Sequence, residues 1–131
     1  MKVHFILYVR DQEASTRFYR QALEREPTLV APGMTEFTLG DAVLGLMPES
    51  GAKRLLGAAL DFPTPDATST SRPARAELYL IVSEPAEFHR RALAAGAREL
   101  SELLPRDWGH DAAYSADPDG HVLAFARVRP A

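Results

Sequence analysis

"FYRQAL" fills residues 18–23 and "FHRRAL" fills residues 88–93; four of the six letters agree, 70 positions apart, in a chain of 131. The surroundings of the two copies match as well. Before the first lies "VHFILYV" (3–9), a β-branched and aromatic run that reads as a buried strand. Residues 12–25, "QEASTRFYRQALER", place Ala14, Phe18 and Ala22 on one helical stripe with Leu23 beside it. "TEFTLG" and "AVLGLM" follow as strands about Gly40-Asp41, a pair suited to a tight turn. Before the second copy, "ELYLIV" (77–82) reads as a strand. Ser83–Ala95 then reads as a helix, with Ser83 as its cap, Pro85 in its first turn and Gly96 as its stop. "DAAYSAD" and "HVLAFARV" are the closing strands, and the "DPDG" that joins them favours a turn.

The expectation is one α+β domain over 1–131, built of two strand–helix–strand–strand modules. The first spans 1–63, with one more short strand around Leu55–Phe62, and the second spans 76–131. A Pro-, Ser- and Thr-rich linker, "TPDATSTSRPAR" (64–75), separates them. A single module leaves the sheet face opposite its helix bare, and pairing two modules around a shared concavity covers much of it.

Composition narrows the function. Hydrophobic residues make 46% of the chain and charged residues 25%, as in ordinary globular proteins. The net charge is −3 and the 15 Lys and Arg are scattered, so no basic footprint for nucleic acid is present. No apolar run is long enough for a membrane span, and the N-terminus lacks the apolar core of a signal peptide. The absence of cysteine excludes disulfides, thiolate metal sites and a cysteine nucleophile. A cytoplasmic address is the expectation.

Strand parity assigns faces, because successive side chains point opposite ways. In the first strand Phe5, Leu7 and Val9 form the helix-facing side, leaving His4, Ile6 and Tyr8 on the other. In the matching strand Leu78, Leu80 and Val82 face the helix, leaving Glu77, Tyr79 and Ile81. His4 and Glu77 thus stand at equivalent places, each five residues before a core valine.

This pattern resembles the vicinal oxygen chelate superfamily, which includes glyoxalase I, fosfomycin-resistance enzymes, extradiol dioxygenases and bleomycin-resistance proteins. The resemblance spans essentially the whole chain. It is carried by "HFILYVRD" (4–11), "FYRQAL" (18–23), "ALAAGAREL" (92–100), "WG" (108–109) and "DPDGHVLAF" (117–125). It implies paired βαβββ modules curling around a concave cavity, usually in a homodimer. Enzymatic members hold a divalent metal at four equivalent strand positions. Here those positions carry His4, Gly45, Glu77 and Ala124, of which only His4 and Glu77 have a ligating side chain. A catalytic metal normally keeps three protein ligands and an open position. By parity His121 points away from Ala124, and His110 and Asp111 help only if their loop folds inward. The expectation is therefore no metal, no cofactor and no catalytic residue set.

The remaining candidates form a ligand-binding set: His4, Tyr8, Phe37, Glu77, Tyr79, Trp108 and Tyr114. His4 reads either as a buried histidine bonded to Glu77 or backbone, or as half of a polar anchor for a guest. Trp108, the sole tryptophan, reads either as a cover over the core or as a stacking plate. Asp117, Asp119 and Gly120 read as turn chemistry, lacking the other ligands of a calcium loop. The leading expectation is a metal-independent homodimer that sequesters a planar or bulky small molecule such as an antibiotic, with neither nucleic acid nor membrane as partner. The alternatives are a lyase or isomerase of glyoxalase or dioxygenase type using His4 and Glu77, and a non-catalytic dimerisation domain with a filled cavity.

Overall fold

In the computed structural model, which describes residues 1–57 and 74–131, the duplication is one of topology as well as sequence. The chain runs β1 (Val3–Val9), α1 (Gln12–Leu23), β2 (Leu29–Ala31), β3 (Met34–Leu39), β4 (Ala42–Pro48) and α2 (Glu49–Leu56). It continues with β5 (Glu77–Ile81), α3 (Pro85–Ala94), β6 (Arg98–Pro105), β7 (His110–Ala116) and β8 (Val122–Val128). Two mixed four-stranded sheets result, ordered β1-β4-β3-β2 and β5-β8-β7-β6. In each, the first strand pairs parallel with the last, and the remaining pairs are antiparallel.

Each sheet holds one strand more than the firm elements of the sequence reading. In the first, the fourth strand is β2. Of the stretch expected as a strand around Leu55–Phe62, Leu55 and Leu56 belong to α2, while residues 58–62 and residues 64–73 of the expected linker lie outside the described residues. In the second, "RELSELLP" forms β6, whose pairing with β7 shifts register twice, between Glu99 and Ser101 and between Ser101 and Leu104. Such shifts destroy the two-residue alternation by which a strand announces itself.

The chain divides into two compact units, Met1–Thr16 with Glu26–Pro73 and Arg17–Arg25 with Ala74–Ala131, so that α1 is shared between them. Asp11 caps α1 by accepting the backbone N–H of Ala14, 2.9 Å. In the first unit, the start of α1 is fastened to β2 and β3. The Gln12 amide donates to the Ala31 carbonyl and to the Thr35 hydroxyl, and Thr16 bonds the buried Thr35 at 2.9 Å. Register places Thr35 and Phe37 beside Leu46 and Leu44 on this helix-facing side, where Leu7 and Val9 are also buried.

In the second unit, Leu123 and Phe125 form the buried side, with Phe88 of α3 packed on Phe125 at 5.3 Å between ring centres. The end of α1 belongs here too. The Tyr19 hydroxyl, fully buried, donates to Asp117 Oδ2 at 2.6 Å. Asp117 Oδ1 meanwhile accepts the backbone N–H of Asp119 and of His121, so the "DPDG" turn is tied to the first repeat helix.

Both repeat helices end the same way. Arg25 N–H reaches the Arg20 carbonyl and Glu24 N–H the Gln21 carbonyl, as Ala97 N–H reaches Ala92 and Gly96 N–H reaches Leu93. This is the Schellman pattern, whose penultimate residue must be left-handed. Gly96 takes φ 114° there, but in α1 the residue is Glu24, at φ 50°. Pro85 opens α3 as expected, whereas the capping position is Glu84 without a side-chain bond, not Ser83. Among the described residues, no helix is long and apolar enough to cross a membrane.

Candidate functional site

In the first unit, the side opposite Phe37 carries His4, Ile6 and Tyr8 of β1, Gly45 of β4, and Met34 and Glu36 of β3. His4 Nδ1 stands 3.5 Å from a Glu36 carboxylate oxygen. The expected burial of His4 is thus corrected. Its side chain is 43% exposed, and within its own unit the carboxylate beside it is Glu36. Glu36 escaped the sequence reading, although parity marks it: it alternates with Thr35 and Phe37, and in register it opposes Gly45. Tyr8 is half-buried on the same side. Phe37 is the second correction. It is fully buried among Leu44 and Leu46, on the far face of the sheet, and leaves the ligand-contacting set for the core.

In the second unit, the corresponding side carries Glu77 and Tyr79 of β5, His110, Ala112 and Tyr114 of β7, and Ala124 and Ala126 of β8. The three alanines are fully buried and form an apolar floor. The Tyr79 hydroxyl accepts the Trp108 indole N–H at 3.0 Å and lies 2.7 Å from His110 Nδ1. Because the indole nitrogen only donates, this fixes the Trp108 ring against Tyr79. The Tyr79 and His110 rings lie 5.8 Å apart at 32°. Trp108 itself is 55% exposed, so it is no plug of the core. Gly109, at φ 86°, turns the chain between Trp108 and β7.

Arg106 lies over the Tyr114 ring, 5.1 Å from its centre, and donates to the Ala112 carbonyl and the Ser101 hydroxyl. Burial pushes the Tyr114 phenol up, the negative charge of Glu77 and the neighbouring Tyr79 add to this, and Arg106 opposes it. Glu77 is exposed. The sequence places His110 in the loop beyond Trp108, whereas it opens β7, and its parity with Tyr114 four residues on is the legible signal. Arg106 carries no such signal, since its place depends on the β6–β7 connection. Asp111 is taken up by Arg127 at 3.1 Å and Arg129 at 3.3 Å.

Duplicated four-stranded mixed sheets, each with a repeat helix and a polar-aromatic face opposite its packed core, define the class of α+β protein in hand. The family model of the glyoxalase/bleomycin resistance protein/dioxygenase superfamily matches residues 3–125, and the chain belongs to that superfamily. Among solved structures, a glyoxalase-related enzyme from Fulvimarina pelagi is similar at 28% identity and a TM-score of 0.81, over 97% of this chain and 87% of that one. A glyoxalase/bleomycin resistance protein/dioxygenase family enzyme from Burkholderia phytofirmans PsJN shares the fold at 20% identity and a TM-score of 0.78, over 95% and 96%. A glyoxalase/bleomycin resistance protein/dioxygenase from Nocardioides does so at 19% and 0.74, over 98% and 83%. No curated protein sequence matches the chain.

The residues at the family's metal positions do not fit a three-ligand centre within either unit. A Cβ built at Gly45 would fall on Ile6 Cδ1 and come within 3.2 Å of Met34 Sδ, so apolar atoms occupy the room an acid would use. Ala124 is sealed in the floor. In the first unit His4 and the neighbouring Glu36 supply two donors, and in the second Glu77 is the one ligating side chain at those positions. Among the described residues, three potential ligands converge at Asp117, Asp119 and His121. There the Asp117 oxygens are already held by Tyr19 and two backbone N–H groups, which is the work of a turn.

Proposed function

We propose that this protein binds a planar organic molecule, in the manner of a drug-sequestering protein, with neither a metal nor a chemical step. Trp108 carries the reading. A lone tryptophan that is more than half exposed, yet fastened through its N–H to a tyrosine hydroxyl, is a ring held still and offered to something flat. Rigid aromatic surface gives contact area at little entropic cost. The alanine floor beside Trp108 supports a guest that is itself largely apolar, such as a peptide or polyketide antibiotic. A homodimer in the cytoplasm completes the proposal, without nucleic acid or membrane as partner.

Because Trp108 is the only tryptophan, intrinsic fluorescence reports on this ring alone. Titration with planar antibiotics should quench it saturably, and elemental analysis after dialysis should find no stoichiometric transition metal. One retained metal ion per chain, with metal-dependent turnover of glutathione adducts, would overturn the proposal. The His4–Glu36 contact supports a second reading, an enzyme in which this pair moves a proton. That reading requires turnover that disappears in His4→Gln.

A further inference from the structure

We infer that the second sheet recognises an anionic group on its guest, a carboxylate or similar acid on a planar aromatic body, through Arg106. The inference rests on the planar-ligand reading above and adds the charge of the ligand.

Arg106 is half-buried, and every hydrogen bond it makes among the described residues goes to a neutral oxygen. Nε and Nη2 hold the Ala112 and Glu102 carbonyls and the Ser101 hydroxyl, which locks the plane of the guanidinium. Nη1 meets no acceptor among the described residues, and no carboxylate there pairs with the group. The other cations that close this hairpin are compensated: Arg127 and Arg129 share Asp111. A guanidinium that is half-buried and immobilised on one edge, with its remaining N–H groups open, favours an anion, because charge-assisted bonds are the strong ones where water is partly excluded. The same group lies over Tyr114, on the side where Trp108, Tyr79 and His110 offer their rings. An acid on a flat body thus meets charge and stacking surface together. Glu77, the uncompensated acid of this face, is exposed, so water already satisfies it.

Three naphthalene probes of one shape test this by calorimetry: the 2-carboxylate, the 2-carboxamide and the 2-methylammonium compound. The carboxylate should bind about tenfold or more tightly than the carboxamide, as one hydrogen bond to a charged group implies. That preference should shrink as salt is raised, and Arg106→Gln should erase it. Equal binding of all three probes would overturn the anion site and leave the planar-ligand reading standing. Binding of none would overturn that reading, and the inference with it. A carboxylate preference that survives in folded Arg106→Gln would remove Arg106 from the role. Should that variant fail to fold, the wild-type comparison decides: a preference absent, or indifferent to salt, overturns the inference.

Discussion

Tyr19 and Asp117 are 98 positions apart in sequence and meet at 2.6 Å, which makes this bond a staple between the first repeat helix and the turn that follows the second unit's third strand. Tyr19→Phe leaves a buried carboxylate oxygen short of a donor and should cost about 1–3 kcal/mol. The same pair sets an alkaline limit. Burial first, and then the charge of Asp117, raise the Tyr19 phenol well above its ordinary 10.0. A raised folded value means stability that is whole below about pH 10 and is lost as pH climbs towards the folded value. Melts across that window should therefore show the gap between wild type and Tyr19→Phe narrowing with pH; a constant gap refutes the linkage. Trp108 makes the opposite case. Its exposure predicts that Trp108→Ala lowers stability by less than about 1 kcal/mol, whereas loss of a stacking plate should weaken binding of a planar probe by about 1–3 kcal/mol, roughly 5- to 150-fold. A melt paired with calorimetry separates the two, and an unstable variant with normal binding defeats the stacking role. Parity made His4, Tyr79 and Glu77 legible in advance. Glu36 is hard to read because it lies between Thr35 and Phe37 in a strand whose apolar side dominates the pattern, and Arg106 because no local pattern foretells which loop cation a hairpin will fold over an aromatic ring.

At the scale of the element, the repeat was readable because helix stripe, turn chemistry and strand parity each recur in the same order. What failed were elements lacking that periodicity: β2, only three residues long, and β6, broken by register shifts. The two helix ends yield a prediction of their own. They share one hydrogen-bond pattern, but only α3 supplies the glycine it calls for. A left-handed L-residue costs about 1–2 kcal/mol. Glu24 recovers part of that through its exposed contact with Arg91 at 3.4 Å, a kind of pair worth about 0–1 kcal/mol. Glu24→Gly should therefore stabilise the protein by up to about 1 kcal/mol, visible as a melting temperature raised by a few degrees. An unchanged or lowered melting point would mean that the ion pair, or added freedom in the unfolded chain, outweighs the relieved strain.

At the scale of the molecule, the proposed homodimer answers apolar surface that the described residues leave uncovered. Scattered exposed hydrophobics are ordinary, but β2 ends its sheet with Leu29 and Val30 adjacent, so both of its faces are apolar, and Val30 is 62% exposed. The last strand of a sheet also offers backbone N–H and C=O groups to any partner strand, and natural proteins usually blunt such edges with charge. On α2, Leu55 is 71% exposed and Leu56 lies beside it, again without a covering element among the described residues. A second copy answers these surfaces most simply, because closed two-fold pairing buries the same patch twice. Light scattering at micromolar concentration should return twice the chain mass of 14.4 kDa. Val30→Lys, which charges the edge and leaves the core residues untouched, should shift the mass towards one chain while the circular dichroism spectrum stays the same. Wild-type protein that scatters as a single chain would end the dimer proposal. A dimer indifferent to Val30→Lys would move the contact away from β2 and leave α2 as the surface to charge next.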